Sequence, residues 1–369
     1  MESTLSQSSS DTIRAGVVGV GYYGSFHAEK YATLPGCSLA AIADHNQGNV
    51  DRVAAEHEVE AFPDHRDLIG RVDVASVAVP AKGHYEVARD LLEAGIHVLV
   101  EKPITRTVAE ARELVELARK RDLILQVGHL ERFNPAFAAL PESLRSPAYI
   151  ETHRLTKWQN RNADVSVVLD LMIHDIDLVH ALMRSPVTRV EARGVSVFSD
   201  DLDMVNAMVR FENGGVANLT ASRASLEPQR TFHLFQHNAH TWLDMHGKDL
   251  FIHYRKSEGA GSRTAVEEIR RENEDILRTE VAAFLDAVRS GQTPVVPGED
   301  GLAALETALR INEAVEHVRA PMEPLEIFAD GDSSLTARAS VTHDPHPETR
   351  QTVFSRSSLV NPRATPGKE

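Results

Sequence analysis

The rhythm of hydrophobic and polar positions changes once along the chain. From Ile13 to about Leu144, apolar or β-branched runs at 13–18, 38–43, 73–79, 96–101 and 123–127 alternate with amphipathic stretches at 22–33, 47–57, 83–93 and 107–120. Short strands separated by helix-length stretches predict a parallel sheet covered by helices on both faces, the doubly wound arrangement. Gly95 fits the stop of the third helix. After about Tyr149 a helical stretch at 167–183 leads into alternating segments near 187–199, 203–211, 215–224, 229–236, 240–244 and 249–254, which predict an antiparallel sheet. Helices at 275–290 and 299–318, the latter entered through Pro297-Gly298, are expected to close this second domain. The predicted division is a polar N-terminus (1–11), a doubly wound α/β domain (12–148), an α+β domain (149–328) and a Ser/Thr/Pro/Arg-rich tail (329–369) expected to be disordered.

Composition narrows the classes of function. A chain of 369 residues that is 42% hydrophobic carries enough apolar surface for two cores. Lys+Arg 39 against Asp+Glu 54 leaves −15, the wrong sign for a general nucleic-acid or anionic-membrane binder. The single cysteine, Cys37, leaves no internal disulfide and no multi-cysteine zinc site. With no basic-then-apolar leader and no apolar run near the roughly 18 residues of a membrane span, a cytoplasmic, soluble protein is expected.

The first chemical signal is Gly19-Val20-Gly21-Tyr22-Tyr23-Gly24, a Gly-x-Gly-x-x-Gly at the end of the first strand and the start of the first helix. A tight turn, a backbone bare enough to touch a pyrophosphate and close helix–strand packing all require glycine there. The second strand ends at Asp44, placed to accept hydrogen bonds from both adenosine ribose hydroxyls and to repel the extra phosphate of NADP. NAD is therefore the expected cofactor, with NADP kept as the alternative because Arg52 and His45 are near in sequence. Pro80 and His84 follow the strand ending at Val79, on the carboxyl edge where nucleotides sit, although a capping or packing role suits His84 better.

Two further clusters carry candidate catalysis. Glu101-Lys102-Pro103 brings a lysine out of a buried strand beside the expected nicotinamide site, where it can hold a substrate hydroxyl and the alkoxide developing from it. Asp170, His174 and Asp177 fall on one helical stripe, and a histidine with a carboxylate one turn away suits a general base. Either His174 or Lys102 can be that base. A metal bound by His174, Asp175 and Asp177 is not expected, because no matching second cluster appears. The segment Gly128-His129-Leu130-Glu131-Arg132-Phe133-Asn134-Pro135, with Arg154, Lys157, Trp158, Asn160 and Arg161, gathers polar groups and cations. From these, Arg132, Asn134, Arg154 and Lys157 are expected to bind the sugar or diphosphate of a substrate.

Together the glycine fingerprint, Glu101-Lys102-Pro103 and Asp170-x-x-x-His174 resemble the Gfo/Idh/MocA oxidoreductases over about residues 12–325. The resemblance implies a Rossmann domain followed by an open-faced sheet that supports a homodimer or homotetramer. It implies a cis Lys102–Pro103 bond, and Lys102, Asp170 and His174 acting on a sugar or polyol hydroxyl. Met172 and Ile173 stand where many members carry small residues before the histidine. The strings 128–135 and 169–178 further resemble the branch in which NAD oxidises the C3 hydroxyl of UDP-N-acetylglucosamine, feeding an aminotransferase in lipid A 2,3-diamino sugar synthesis. The rival expectations are a dehydrogenase of another nucleotide sugar, a simple sugar or inositol, and a non-catalytic dinucleotide-sensing protein.

Overall fold

The structure, a computed structural model, describes residues 12–145, 147–158, 166–258, 261–270 and 274–317. The expected disordered N-terminus and tail, and the candidates Asn160 and Arg161, lie outside these residues. In the first half run β1 (Ile13–Val18), α1 (Tyr22–Thr33), β2 (Cys37–Ala43), α2 (Gln47–His57), β3 (Glu60–Phe62) and β4 (Val74–Val77). They are followed by α3 (His84–Glu93), β5 (His97–Glu101), α4 (Val108–Arg121), β6 (Leu125–Gly128) and the short α5 (Pro135–Ala138). The six strands pair in parallel in the order β3-β2-β1-β4-β5-β6. The order reverses between β1 and β4, so the crevice at their carboxyl ends is where such folds place ligands. β3 escaped the sequence pattern because three residues are too few to show a period.

In the second half come β7 (Tyr149–Leu155), α6 (Ile173–Met183), β8 (Val187–Val195), β9 (Met204–Phe211), β10 (Val216–Ser222) and β11 (Gln229–Gln236). After them are β12 (Ala239–Asp244), β13 (Asp249–Glu258), β14 (Gly261–Arg270), α7 (Ile276–Ser290), α8 (Gly298–Ala314) and β15 (Val315–His317). Nine strands form one sheet, β14-β13-β12-β11-β7-β10-β9-β8-β15, antiparallel except where β7 pairs with β10 and β15 with β8. Sequence pattern missed β7, although its burial alternates strictly with Ile150, Thr152 and Arg154 inward, because a buried threonine and arginine disguise the apolar face. It also missed β14, whose Glu and Arg residues mark a polar edge strand.

The closing helices do not belong to the second sheet alone, as the sequence suggested. Val281, Phe284 and Leu285 of α7 join the core of Ala15, Val17, Tyr31 and Leu99 beneath the first sheet. Leu305 of α8 packs with Val98 and Leu125, while Ala304, Ala308 and Ile311 pack against the second sheet. The chain thus returns from the second sheet to cover the first and fastens the two across the site.

α7 also buries a carboxyl group. Glu280 is fully buried, and neither carboxyl oxygen has a hydrogen-bond partner among the described residues. Burial, then the nearby charge of Glu101, push its pKa well above the ordinary value. The folded protein therefore keeps a proton that the unfolded chain releases above about pH 4.3, and stability falls as pH rises through that window toward the folded pKa. Glu280→Gln removes this slope. Its melting midpoint should exceed that of the parent by roughly 2 °C or more at pH 8 and match it near pH 4. An equal effect at both pH values would mean that the carboxyl is not proton-linked.

Candidate active site

The glycine-rich turn follows from sterics. Gly19 has φ +84°, and a Cβ there would approach the backbone of Ala78 and Val79 within 2.8 Å. A Cβ on Gly24 would collide with the carbonyl of Gly19, so the start of α1 lies directly on the turn. Gly21 is different: a Cβ would meet only the amide of Asn49 at 3.9 Å, so its bareness serves a ligand rather than the chain. Asp44, buried at the end of β2, accepts from the N–H of Val20 at 2.9 Å and of Asn46 at 2.8 Å. A cavity lined by Gly19, Asp44, His45, Val79, Gly83 and Val87 continues from it over the sheet edge. This turn and carboxylate fit the pyrophosphate and adenosine ribose of a dinucleotide.

Of the neighbours considered for NADP, His45 is a largely exposed side chain 3.4 Å from Asp44, and Arg52 donates to the carbonyl of Val20 at 3.3 Å. Tyr22 and Tyr23 are exposed at the mouth of the turn, edge-to-face with rings 5.4 Å apart. Pro80 is exposed on the next loop. His84 takes the packing role that suited it better, buried between the carbonyls of Pro103 and Val79, each 2.8 Å from a ring nitrogen. Burial lowers its pKa, so it ties the two loops together as a neutral ring that donates to one carbonyl at a time.

Beside this crevice β5 delivers Lys102. The Lys102–Pro103 peptide is cis, as the resemblance implied. Lys102 Nζ donates to the backbone carbonyl of Asp170 at 2.8 Å and lies 3.5 Å from its carboxylate. Residues Val168–Met172 form a widened turn, with the N–H of Ile173 reaching the carbonyl of Val168, before regular α6 begins. Such π-turns recur at functional sites, and here one presents the Asp170 carbonyl to the lysine. His174 follows one turn on, its Nδ1 buried and without a hydrogen-bond partner among the described residues. Burial, then the charges of Lys102 and Arg154, hold its pKa well below the ordinary value, so it is neutral at pH 7.

The expected stripe splits at this point. Asp170 faces Lys102, whereas Asp177 is buried in a two-toothed pair with Arg132, at 2.7 and 3.0 Å, which also reaches Asp300 at 2.8 Å. Arg154 is likewise buried, 2.6 Å from Asp175 and 2.9 Å from Glu131. Asn134 caps α5 and donates to Glu131 at 3.1 Å and to the carbonyl of Met245 at 2.8 Å. In place of the expected contacts to sugar or diphosphate, Arg132, Asn134 and Arg154 form a buried framework behind the cleft. Lys157 remains on the surface, 3.7 Å from Glu227.

Behind Lys102, Glu101 accepts from His27 Nε2 at 3.0 Å. The other nitrogen of His27 meets Ser76 at 3.0 Å, and Ser76 meets Tyr31 at 2.8 Å. Burial raises the Glu101 pKa, but the hydrogen bond and charge of His27, with Lys102, outweigh it and hold it below the ordinary value. The Lys102 N–H bonds the same carboxylate at 3.3 Å. Neither His27 nor Tyr31 stood out in the sequence, since each occupies the apolar face of α1. Among the described residues, no group of three His, Cys, Asp or Glu side chains is placed to hold a metal ion.

Residues 13–129 match the oxidoreductase family with an NAD-binding Rossmann fold, and 145–241 match the GFO/IDH/MocA C-terminal domain. The chain belongs to the GFO/IDH/MocA oxidoreductase family. Membership makes it an NAD-binding oxidoreductase, in agreement with the turn and Asp44. Within the family it is 37% identical over 310 residues to UDP-N-acetylglucosamine 3-dehydrogenase from Acidithiobacillus ferrooxidans, covering 82% of this chain and 97% of that one. A solved structure of that enzyme, GnnA, superposes with a TM-score of 0.77 at 36% identity, over 82% of this chain and 98% of the other. Myo-inositol 2-dehydrogenase from Thermotoga maritima is 27% identical, covering 83% of this chain and 97% of that protein. In this GFO/IDH/MocA chain, no helix among the described residues is long and apolar enough to cross a membrane.

Proposed function

We propose that the protein oxidises the C3 hydroxyl of UDP-N-acetylglucosamine to the 3-keto sugar. The observation that carries this reading is the Lys102–Asp170–His174 cluster at the mouth of an NAD crevice, in a chain 37% identical to a UDP-N-acetylglucosamine 3-dehydrogenase. NAD, when bound, accepts the hydride from C3. His174, neutral at pH 7, takes the hydroxyl proton. Lys102 donates a hydrogen bond to the same oxygen and stabilises the negative charge that develops on it. Asp170 holds Lys102 through its carbonyl and side chain. Burial, then Lys102 and Arg154, disfavour the imidazolium, so the proton does not rest on the ring.

A 3-keto sugar is a substrate for transamination, so an aminotransferase is the proposed consumer of the product. The exposed face of the second sheet, where Phe235 stacks on His240 at 4.5 Å and Trp242 on Phe251 at 4.8 Å, is the proposed contact with a second copy of the chain. Following NADH absorbance with UDP-N-acetylglucosamine, UDP-glucose, free N-acetylglucosamine and myo-inositol tests the substrate. The reading requires the first to exceed the others in kcat/KM. Preference for myo-inositol would place the protein with the inositol dehydrogenases, and NAD binding without turnover of any substrate would favour a sensing role. Because alcohol oxidation by NAD is unfavourable at neutral pH, the assay is run with a keto trap.

A further inference from the structure

In a strand, residues two apart share a face. Phe232 and Leu234 of β11 point into the core beneath α6, as does Ile150 of the neighbouring β7. Arg230, two residues before Phe232, projects to the same side, and its register partner on β7 is Arg154. Two guanidinium groups thus stand side by side at the end of the sheet that carries the site.

Their surroundings differ. Arg154 is buried, and Asp175 and Glu131 match its charge at 2.6 and 2.9 Å. Arg230 has 45% of its side chain exposed, and its ion pair with Glu131 is long, 3.6 Å, to the same carboxylate oxygen that Arg154 already engages. Paired like charges destabilise a sheet unless something anionic covers them. Arg230 also lies within electrostatic reach of both sides of the cleft. After burial, Lys102, Arg154 and His129, it adds to the depression of His174, and it acts on the phenol of Tyr23 at the glycine-rich turn.

We propose that Arg230 grips the diphosphate of a nucleoside-diphosphate sugar whose ring lies at Lys102 and His174, while Arg154 takes the closer contacts with the neighbouring carboxylates. This rests on the nucleotide-sugar reading above. A guanidinium presents two parallel N–H donors that match a phosphate edge, and Arg230 keeps donors available that Arg154 has spent on carboxylates. The sequence singled out Arg154 and not Arg230, because the register that separates the buried arginine from the half-exposed one appears only in the fold.

The test is titration of the NAD-loaded protein with UDP alone by calorimetry, together with steady-state kinetics. Arg230→Leu should weaken UDP binding by at least about tenfold and raise KM for UDP-N-acetylglucosamine far more than it lowers kcat, with NAD affinity unchanged. Arg230→Lys should recover part of the loss, and Arg230→Gln serves as a second variant should the leucine variant fail to fold. If the parent binds UDP and the leucine and glutamine variants bind it equally well, the assignment of Arg230 is overturned while the nucleotide-sugar reading stands. If the parent neither binds UDP nor turns over any UDP-sugar, both fall.

Discussion

Lys102→Ala and His174→Ala each lower turnover at least about a hundredfold while leaving NAD binding intact, the scale expected when a proton acceptor or a charge-stabilising donor is removed. The two losses should not add, since both groups act on one oxygen. The pH dependence carries a sign. His174 is held well below the ordinary histidine value, so the acid limb of kcat/KM falls well below about pH 6.5. An acid limb at or above that value would assign the proton to another group. Full activity in either alanine variant would remove that residue from the chemistry.

Arg154→Leu is expected to cost about 3–5 kcal/mol, because Asp175 would be left buried without its cation and Glu131 would keep only the Asn134 hydrogen bond and the long pair with Arg230. In thermal unfolding this is a fall on the order of 10 °C. The loss should be worse at pH 8 than at pH 5, since carboxylates stripped of their cation are tolerated inside only when protonated. Lys157→Ala is the control. Its side chain is exposed and 3.7 Å from Glu227, so it should shift stability by less than about 1 kcal/mol. Equal effects from the two variants would contradict the buried framework.

What could be read from the sequence was whatever rests on local chemistry. The glycine fingerprint declares itself because sterics and ligand approach act within six residues, and Asp44 because strand length places it. Lys102, Asp170 and His174 were legible as types in context, although only the widened turn at Val168–Met172 shows how a carbonyl meets the lysine. Long-range pairing could not be read. Arg132, Asn134 and Arg154 appear in the sequence as cations and amides awaiting an anion, whereas the fold supplies Asp177, Asp300, Glu131 and Asp175 from distant segments. The same limit hid the return of α7 to the first sheet, which is a matter of packing rather than periodicity, and the buried Glu280 with it.

The central claim, hydride removal from C3 of UDP-N-acetylglucosamine, is tested most directly with substrate deuterated at that carbon. Mass spectrometry should find the deuterium in the reduced nicotinamide, with the sugar converted to a ketone lacking it. Reduced nicotinamide formed without deuterium, or deuterium retained in the sugar product, would contradict the account.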